Sequence, residues 1–450
     1  MKNLWSDRQA KAFVKASAKD GVSADLAECV HASRLLGAEP KLVLHGGGNS
    51  SVKTVLRDLA GENVTAMWVK ASGRDMATME ADGFAPLRLE PLQRLAGRES
   101  LSEKEMTGAR RCFLLDAAAP DPSVEFLTHA FLPHKHVLHS HANAVLGLTN
   151  QEQWAEVLAE TFGGRVALVP YIMSGFSLAR RAREIQAANP DAEALVVLKH
   201  GLFTFAGNAK EAYARMIDLV TLAEKRIKQA GGKAFAPAAL PKKIAPAAEV
   251  APILRGLAAP DGGRTVLDFR TGREIRHFVD GAGVTDYGRR GTATPDFVIR
   301  TKPWPMIAPA PEAGKLAAFA KAAAKAVDGF KADYLAYVAR HAGSGPDIGA
   351  PDPLPRVILV PGLGLFGLGP AAGDAAIAAD LAAAGIEVVA AAEGLGHYES
   401  AGEADIFAIE HWPPERAKLD RAKLDRARGG KLAGQVAVVT GGGGAIGAAT

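Results

Sequence analysis

The stretch HKHVLHSHANAVLGLT, at residues 134–149, decides the fold prediction because it places two candidate metal ligands on one strand-like run. Within it, His139 and His141 are two residues apart. Side chains at this spacing in a β-strand point to the same face, so both imidazoles are presented together. His134 and His136 have the opposite parity, and we expect them to face away in a loop or supporting role. The stretch therefore predicts a strand that carries two ligands of one metal ion.

A third candidate ligand, His200, ends the strand-like run ALVVLKHG at residues 194–201. Three protein nitrogens with one open position are typical of a catalytic zinc ion. A single histidine at a strand end is usually a structural side chain, and it is the triplet with its spacing that favours a metal. We predict a zinc site of His139, His141 and His200.

The segment PDPSVEFLTHAF, at residues 120–131, supplies a candidate base in Glu125. A metal that polarises a carbonyl group still needs a positioned base to take the proton of the neighbouring carbon. The structural alternative is an exposed acid at a helix N-terminus. We predict that Glu125 transfers this proton.

Two loops upstream are rich in glycine and in small donors. LVLHGGGNSSVK occupies residues 42–53, and Lys70-Ala71-Ser72-Gly73 follows the strand-like residues 66–69. Such loops bind anions through main-chain amides and side-chain donors, although a triple glycine before a strand is as often a plain turn. Because both loops precede the metal triplet, they predict a phosphorylated substrate.

The composition is that of an ordinary soluble globular protein, with 48% hydrophobic and 23% charged residues among 450. A net charge of +4 is too small to indicate nucleic-acid or anionic-membrane binding, so we expect a small-molecule partner. The two cysteines, Cys29 and Cys112, exclude a disulfide framework. The charged N-terminus does not fit an export signal, and no run approaches a membrane-spanning length of roughly twenty residues. We predict a cytoplasmic protein.

The chain is long enough for two or three domains, since a domain averages roughly 150 residues. The predicted divisions are an α/β domain at 1–232, a linker at 233–252, an intermediate region of unknown role at 253–350, a βαβ Rossmann-like segment at 351–412, a charged linker at 413–430 and the truncated start of a further domain at 431–450. The strand candidates in the later segments are Arg264–Phe269, Asp296–Ile299, Arg356–Val360, Ile386–Ala390 and Gln435–Thr440, and an Ala-rich helix is predicted at Gly314–His341.

The ordered set GGGNSSVK, KASG, PSVE, HSHANAV and KHG resembles the class II aldolase family. This zinc fold is shared by fuculose-phosphate and rhamnulose-phosphate aldolases and by a ribulose-phosphate epimerase. The resemblance spans about residues 20–230. It implies an α/β domain with a central, mainly antiparallel sheet flanked by helices. It also implies a fourfold ring of subunits, so we expect a homotetramer or a higher homo-oligomer.

The resemblance assigns roles residue by residue. It implies zinc ligands at His139, His141 and His200 and the acid–base carboxylate at Glu125. Val124 stands where some members of the family carry a further serine. The donors to the substrate phosphate are implied at Asn49, Ser72, Gly73 and Ser123.

The C-terminal sequence resembles that of the bifunctional rhamnulose-1-phosphate aldolase/short-chain dehydrogenase proteins. The runs that carry this likeness are VILVPGLGLFGLG, AEGLGHYESAGEADIFAIEHWPPERAKL and VAVVTGGGGAIGAAT. Thr440, Gly441 and Gly447 match the cofactor turn, with Ala445 where the usual pattern has glycine. The Ser, Tyr and Lys of hydride chemistry do not follow, so we expect NAD(P) binding and dehydrogenase activity only in a longer parent protein.

These observations predict zinc-dependent retro-aldol cleavage of a ketose 1-phosphate resembling rhamnulose or fuculose 1-phosphate. The expected products are dihydroxyacetone phosphate and a small aldehyde such as lactaldehyde. One alternative is a sugar-phosphate epimerase on the same fold, and another is a non-catalytic scaffold. A third is a nucleotide-binding module at 355–410, with Gly362, Gly364 and Gly367 as its turn and Glu387 as its ribose acceptor.

Overall fold

The computed structural model describes residues 1–231, 235–259, 263–344, 348–428, 435 and 437–449. The chain divides into two compact units. The first unit comprises Met1–Ala236, Thr285–Ile299 and Ala384–Glu415, and the second comprises Pro237–Val284, Arg300–Ala383 and Arg416–Thr450. The unit that contains the N-terminal domain therefore also includes two segments from much later in the chain.

The first unit is built on a seven-stranded sheet in the order β3-β2-β1-β4-β7-β6-β5. Only β5 and β6 pair in parallel, and the other neighbours are antiparallel. This confirms the predicted mainly antiparallel sheet. The strands are β1 (Asn49–Arg57), β2 (Asn63–Lys70), β3 (Phe84–Arg88), β4 (His136–Ser140), β5 (Val166–Val169), β6 (Ala194–Val197) and β7 (Gly201–Ala206).

Helices of both units make up most of the rest of the described chain, and several of those in the first unit pack against this sheet. They are α1 (Asp7–Ser17), α2 (Ala24–Gly37), α3 (Leu89–Leu95), α4 (Glu103–Cys112), α5 (Phe126–Phe131), α6 (Asn143–Thr149), α7 (Trp154–Phe162), α8 (Phe176–Ala188), α9 (Ala209–Ala230), α10 (Ala247–Leu257), α11 (Arg273–Val279), α12 (Val284–Tyr287), α13 (Val298–Thr301), α14 (Leu316–His341), α15 (Ala372–Leu395), α16 (Glu403–Glu410), α17 (Pro413–Arg428) and α18 (Ala445–Ala449).

Helix α9 shows how the sequence fixes one of these elements. The side chain of Asn208 accepts a hydrogen bond from the Glu211 amide at the N-terminus, and Gly231 ends the helix with a left-handed φ of 81°. The apolar face of α9, including Met216 and Leu219, is buried in a large core cluster of the first unit. The helix thereby covers one face of the sheet, as its amphipathic pattern predicts.

Strand β4 is buried along its whole length and lies between β1 and β7. In the register of β1 and β4, Asn49 is opposite His139. Because β1 begins where β4 ends, both residues lie at the same edge of the sheet. The turn between β6 and β7 reaches that edge as well, since β7 pairs antiparallel with β4.

The second unit contains a four-stranded sheet in the order β8-β11-β10-β9. Its strands are β8 (Val266–Arg270), β9 (Met306–Ile307), β10 (Val357–Val360) and β11 (Gly364–Gly369). Strands β10 and β11 form an antiparallel hairpin, so the predicted βαβ unit at 351–412 is wrong. The glycine-rich turn joins two strands of one hairpin and does not open a helix.

The glycines of this turn serve close packing and turn geometry. Gly362 has a φ of 91°, and a Cβ on Gly367 would lie 2.3 Å from the Ala375 carbonyl oxygen. The proposed ribose acceptor, Glu387, instead pairs with Lys41 over 2.6 Å and accepts from Asn143 over 2.9 Å. The nucleotide-binding alternative for residues 355–410 therefore has no support in this geometry.

Two further strand predictions are also wrong. Ile386–Ala390 is apolar and partly β-branched, but it lies inside α15, whose Ala-rich flanks favour helix over strand. Asp296–Ile299 forms a 3₁₀ turn at Pro295–Phe297 that continues into α13. The linker predicted at 233–252 becomes helical at Ala247, where α10 begins.

At the C-terminal end, helix α17 covers nearly all of the segment predicted as a charged linker at 413–430. The strand predicted at Gln435–Thr440 is not seen in residues 435 and 437–440, and Val436 lies outside the described residues. Thr440, Gly441 and Gly447 belong to the second unit, and Gly447 lies within α18.

Within the described ranges, α15 is the one helix that is long and apolar enough to cross a membrane by length and composition. The prediction that no run approaches a membrane-spanning length is therefore wrong for α15. Half of the relevant window is buried inside the protein, and the core helix of a soluble protein passes the same test.

Candidate active site

The three predicted ligand histidines meet at one edge of the first unit's sheet. His139 lies in β4, His141 follows the strand directly, and His200 lies in the turn between β6 and β7. All three are buried, and one nitrogen from each lies within 4.8 Å of the others. The separation between Nε2 of His139 and Nε2 of His141 is 3.1 Å.

The His139 ring is oriented so that the lone pair of its Nε2 faces the point where the three histidines meet. Nδ1 of His139 contacts the Leu202 carbonyl oxygen at 3.2 Å, so that nitrogen carries the proton and Nε2 is left as the acceptor. The ring also stacks on Phe203. Burial, reinforced by the neighbouring imidazoles His141 and His200, holds the pKa of His139 well below its ordinary value. The imidazole is therefore neutral, as a metal ligand must be.

His200 gives an independent indication of a ligand. Its Nε2 is buried and has no hydrogen-bond partner in the part of the chain that the structure describes. A buried polar atom without a partner costs free energy unless something else satisfies it. The donor set, three imidazole nitrogens around one point, fits a divalent cation such as zinc.

Gly201, next to His200, explains how the rings come so close. A Cβ at this position would lie 2.3 Å from the Ser140 carbonyl oxygen, 3.0 Å from a ring carbon of His139 and 3.2 Å from a ring carbon of His141. Only glycine fits between the turn and the β4 strand. The His-Gly pair in the sequence therefore belongs to the construction of the site.

Glu125 is buried beside the triad, at the N-terminus of α5. One carboxylate oxygen is 3.4 Å from Nε2 of His139, and the other is 3.5 Å from Nε2 of His200. The carboxylate accepts hydrogen bonds from Asn49 Nδ2 at 2.7 Å and from Ser174 Oγ at 3.4 Å. The alternative of an exposed helix-terminal acid is therefore wrong.

Asn49 is itself oriented by a buried histidine that the sequence analysis missed. Nε2 of His129 hydrogen-bonds the side-chain oxygen of Asn49, and Nδ1 of His129 lies 2.8 Å from Ser51 Oγ. Burial, with a contribution from the charge of Lys53, lowers the pKa of His129 to about 3. A neutral His129 that accepts from Ser51 and donates to Asn49 fixes the amide so that its NH₂ group faces Glu125.

The two glycine-rich loops touch each other next to this edge. Gly46 has a φ of 82°, and a Cβ there would lie 2.8 Å from the carbonyl oxygen of Gly73, whose own φ is 76°. Lys70 is buried and donates from Nζ to the Gly46 carbonyl oxygen over 3.0 Å. The structure thus brings the loop of Gly46 together with the loop of Ser72 and Gly73.

The remaining predicted phosphate donors lie in the interior. Ser123 Oγ accepts from Asn49 Nδ2 at 3.1 Å and from the Glu125 amide at 3.3 Å. The Ser72 amide donates to the Asp121 carbonyl oxygen over 2.9 Å. Asn49 and Ser123 therefore support Glu125, while Ser72 and Gly73 belong to the paired loops.

One further carboxylate reaches the triad from far along the chain. Oδ2 of Asp296 is 3.4 Å from Nε2 of His141. No local sequence signal marks Asp296, because the contact joins positions more than a hundred residues apart. The second predicted pair takes no part in the triad: His134 stacks on Phe205, and His136 is buried within β4.

Two family models match this chain and together take in most of it. The one described as "Class II Aldolase and Adducin N-terminal domain" matches residues 27–227, and the one described as "Aldolase class II, second domain" matches residues 245–419. The chain therefore belongs to the class II aldolase family.

A curated relative from Bacillus subtilis (strain 168), named "Uncharacterized oxidoreductase YuxG", is 32% identical over 457 residues. The alignment covers all of this chain and 64% of that protein, so this chain spans less than two thirds of its relative.

Solved structures are similar to about half of this chain. The N-terminal class II aldolase domain of a conserved protein from Thermoplasma acidophilum is 36% identical, with 50% of this chain and 99% of that chain covered and a TM-score of 0.45. A sugar-phosphate aldolase from Thermotoga maritima is 18% identical, with 45% and 94% covered and a TM-score of 0.36.

Proposed function

We propose that this chain is a zinc-dependent aldolase that cleaves a ketose 1-phosphate resembling rhamnulose or fuculose 1-phosphate. The products are dihydroxyacetone phosphate and a small aldehyde such as lactaldehyde. The observation that carries the proposal is the cluster of His139, His141 and His200 with the Glu125 carboxylate 3.4 and 3.5 Å from two of their nitrogens.

The residues divide the chemistry between them. The three imidazoles would hold a zinc ion, which would supply an electrophile for the negative charge on the substrate oxygens. Glu125, buried and held by Asn49 and Ser174, moves the proton at the donor carbon. This assignment requires an ionised carboxylate, which its hydrogen bonds from Asn49 and Ser174 stabilise.

The phosphate end of the substrate is assigned to the paired glycine loops. Ser72 and Gly73 form a turn with a left-handed glycine, and Gly46 lies against it. Asn49 and Ser123, although predicted as phosphate donors, bond each other and Glu125. We therefore assign Asn49 and Ser123 mainly to positioning Glu125 and only secondarily to binding the substrate phosphate.

The decisive experiment is condensation of dihydroxyacetone phosphate with lactaldehyde, together with solvent-deuterium exchange at the donor carbon. The wild-type chain should catalyse both, and Glu125→Gln should keep the zinc but lose the exchange, because the amide keeps the shape and removes the base. Glu103→Gln, in the exposed first turn of α4, is the matched control and should behave as wild type. Undiminished exchange in Glu125→Gln would contradict the role of that residue.

The epimerase alternative shares the metal and the carbon–carbon cleavage, so it needs a separate test. Incorporation of radiolabelled dihydroxyacetone phosphate into the sugar phosphate requires that the two fragments leave and return independently. We expect free incorporation. Conversion between epimers without incorporation would favour the epimerase.

The complete protein is a separate proposal. The relative named an oxidoreductase is longer than this chain, and Thr440, Gly441 and Gly447 match the start of a cofactor turn. We propose that a longer parent protein binds NAD(P) through that turn and oxidises or reduces the aldehyde product. Titration of the longer protein and of this chain with NAD and NADP would separate the two activities.

A further inference from the structure

Asp296 brings a second carboxylate to the triad on a different side from Glu125. Glu125 contacts His139 and His200, whereas Asp296 contacts His141 at 3.4 Å. The side-chain exposure rises from 0% at His139 through 7% at His141 to 29% at Asp296. Asp296 is therefore more exposed than the three histidines and Glu125, so it is the group of this cluster that a substrate from solvent can reach most easily.

The backbone around Asp296 is held within the first unit. Asn150 Nδ2 donates to the Ala293 carbonyl oxygen over 2.7 Å, and both residues are buried. After the 3₁₀ turn, Val298 enters an apolar cluster. The other members of this cluster include Val124, Tyr171, Met173, Ile406, Ile409 and Trp412. The backbone is therefore held by a hydrogen bond before Asp296 and by apolar packing after it, and these contacts fix the position of Asp296.

The chain that leads into this segment is held as well. Gly291 has a φ of 92°, and a Cβ there would lie 2.2 Å from Ser400 Oγ. Its neighbour Arg290 forms a 2.6 Å ion pair with Glu393, whose side chain is 1% exposed. This partly buried ion pair ties Arg290 to α15 and so helps to fix the course of the segment.

The negative charge of Asp296 affects the neighbouring Tyr171. Burial raises the pKa of Tyr171, and the negative charges of Asp405 and Asp296 raise it further. An ionised carboxylate only accepts hydrogen bonds. A substrate group that lies beside Asp296 must therefore be a donor, such as a hydroxyl, and a second carboxylate there would be repelled.

We propose that Asp296 determines which aldehydes the site accepts. Its carboxylate accepts hydrogen bonds from hydroxyl groups of the aldehyde half and repels aldehydes that themselves carry a carboxylate. The proposal rests on the aldolase function proposed above. It assigns a specificity role at the first domain's site to a residue from the region matched as the second domain.

The first test compares lactaldehyde with the anionic aldehyde glyoxylate as partners of dihydroxyacetone phosphate. In Asp296→Asn the preference for lactaldehyde, measured as the ratio of the two kcat/KM values, should fall by about tenfold, the scale of one screened charge interaction. Most of this change should appear in KM. Asp405→Asn is the matched control, because Asp405 also acts on Tyr171 but has no contact with the triad among the interactions the structure describes. An unchanged ratio in Asp296→Asn would overturn the proposal.

A second test does not depend on turnover. Cobalt(II) is bound in place of zinc, and acetate is titrated while the visible absorption of the metal is followed. Removing the charge in Asp296→Asn should tighten acetate binding by about tenfold without changing the affinity for cobalt, which is measured by chelator competition. Loss of cobalt from Asp296→Asn would instead make Asp296 a metal ligand and overturn the specificity role. Cobalt and acetate binding without any aldolase activity would overturn the reaction only, whereas a chain that binds no cobalt would overturn both proposals.

Discussion

Asn49 donates a 2.7 Å hydrogen bond to the buried carboxylate of Glu125. The amide cannot turn round freely, because its oxygen is bonded by His129 on the opposite side. The two residues come from separate elements, the first position of β1 and the residue before α5. This bond is the direct link between the glycine loop and Glu125, the proposed acid–base group of the site.

Replacing Asn49 by alanine should therefore damage the base while leaving the metal in place. The loss of a charge-assisted hydrogen bond to a buried carboxylate costs about 1–3 kcal/mol, so kcat should fall by tenfold or more. Zinc content is measured beside steady-state kinetics. Asn143→Ala is the control, because Asn143 is equally buried but donates to Glu387 outside the triad. If both variants kept full activity, the link from Asn49 to Glu125 would have no catalytic role.

Gly201→Ala should disrupt the triad by crowding. The added methyl group would meet the Ser140 carbonyl oxygen at 2.3 Å and the rings of His139 and His141. Overpacking of this kind costs about 1–3 kcal/mol, and the displaced rings should bind zinc more weakly. Gly207→Ala, near the far end of β7 with no atom within 4 Å of the added group, should change neither property. Equal zinc affinity in the two variants would contradict the packing argument.

The metal-free protein should lose stability in mild acid. Burial, with smaller charge contributions, lowers the pKa of His129 to about 3 and that of His136 to about 4. The unfolded chain takes up these protons near pH 6.5 and the folded chain does not, so stability is lost as the pH falls below about 6.5. Each group should contribute a loss of roughly 2 kcal/mol between about pH 7.5 and about pH 5. Urea unfolding at the two pH values measures it, and equal midpoints would contradict the burial of these neutral rings.

Cutting the chain after Gly429 should leave the aldolase activity and the oligomeric state unchanged. The triad, Glu125 and Asp296 all lie in the first unit, and residues 430–450 belong to the second. Because the chain resembles a family that forms a fourfold ring, we expect a homotetramer or a higher homo-oligomer that assembles through residues 1–232. Light scattering and the condensation assay on both lengths test this. Dissociation of the shortened chain would show that the C-terminal segment takes part in assembly.

The sequence predicted the local parts of the site well. His139 and His141, two residues apart, lie at and just after the end of β4, and both contribute to the triad. His200 lies in the turn that follows β6, close to the strand end where it was predicted. Glu125 was identified by its segment but not by its burial. The mainly antiparallel sheet was implied by the resemblance to the class II aldolase family, and the observed strand pairing agrees with it.

The parts that failed depend on contacts between distant residues. Ile386–Ala390 looks like a strand by its side chains, but its Ala-rich flanks and its packing make it helical. Asp296 and His129 carry no local signal, since each gains its role from a partner in another element. The glycines at 362–367 fit a nucleotide turn in sequence, and only the pairing of β10 with β11 shows them to be a hairpin.

The central claim is tested most directly by measuring the zinc content of the purified chain and of single histidine variants. We predict about one zinc ion per chain, and no retained zinc in His139→Ala or His200→Ala, because two imidazoles do not hold a catalytic zinc ion. His134→Ala, which removes a ring stacked on Phe205 away from the triad, should keep its zinc. Full zinc occupancy in His139→Ala and His200→Ala would contradict the account.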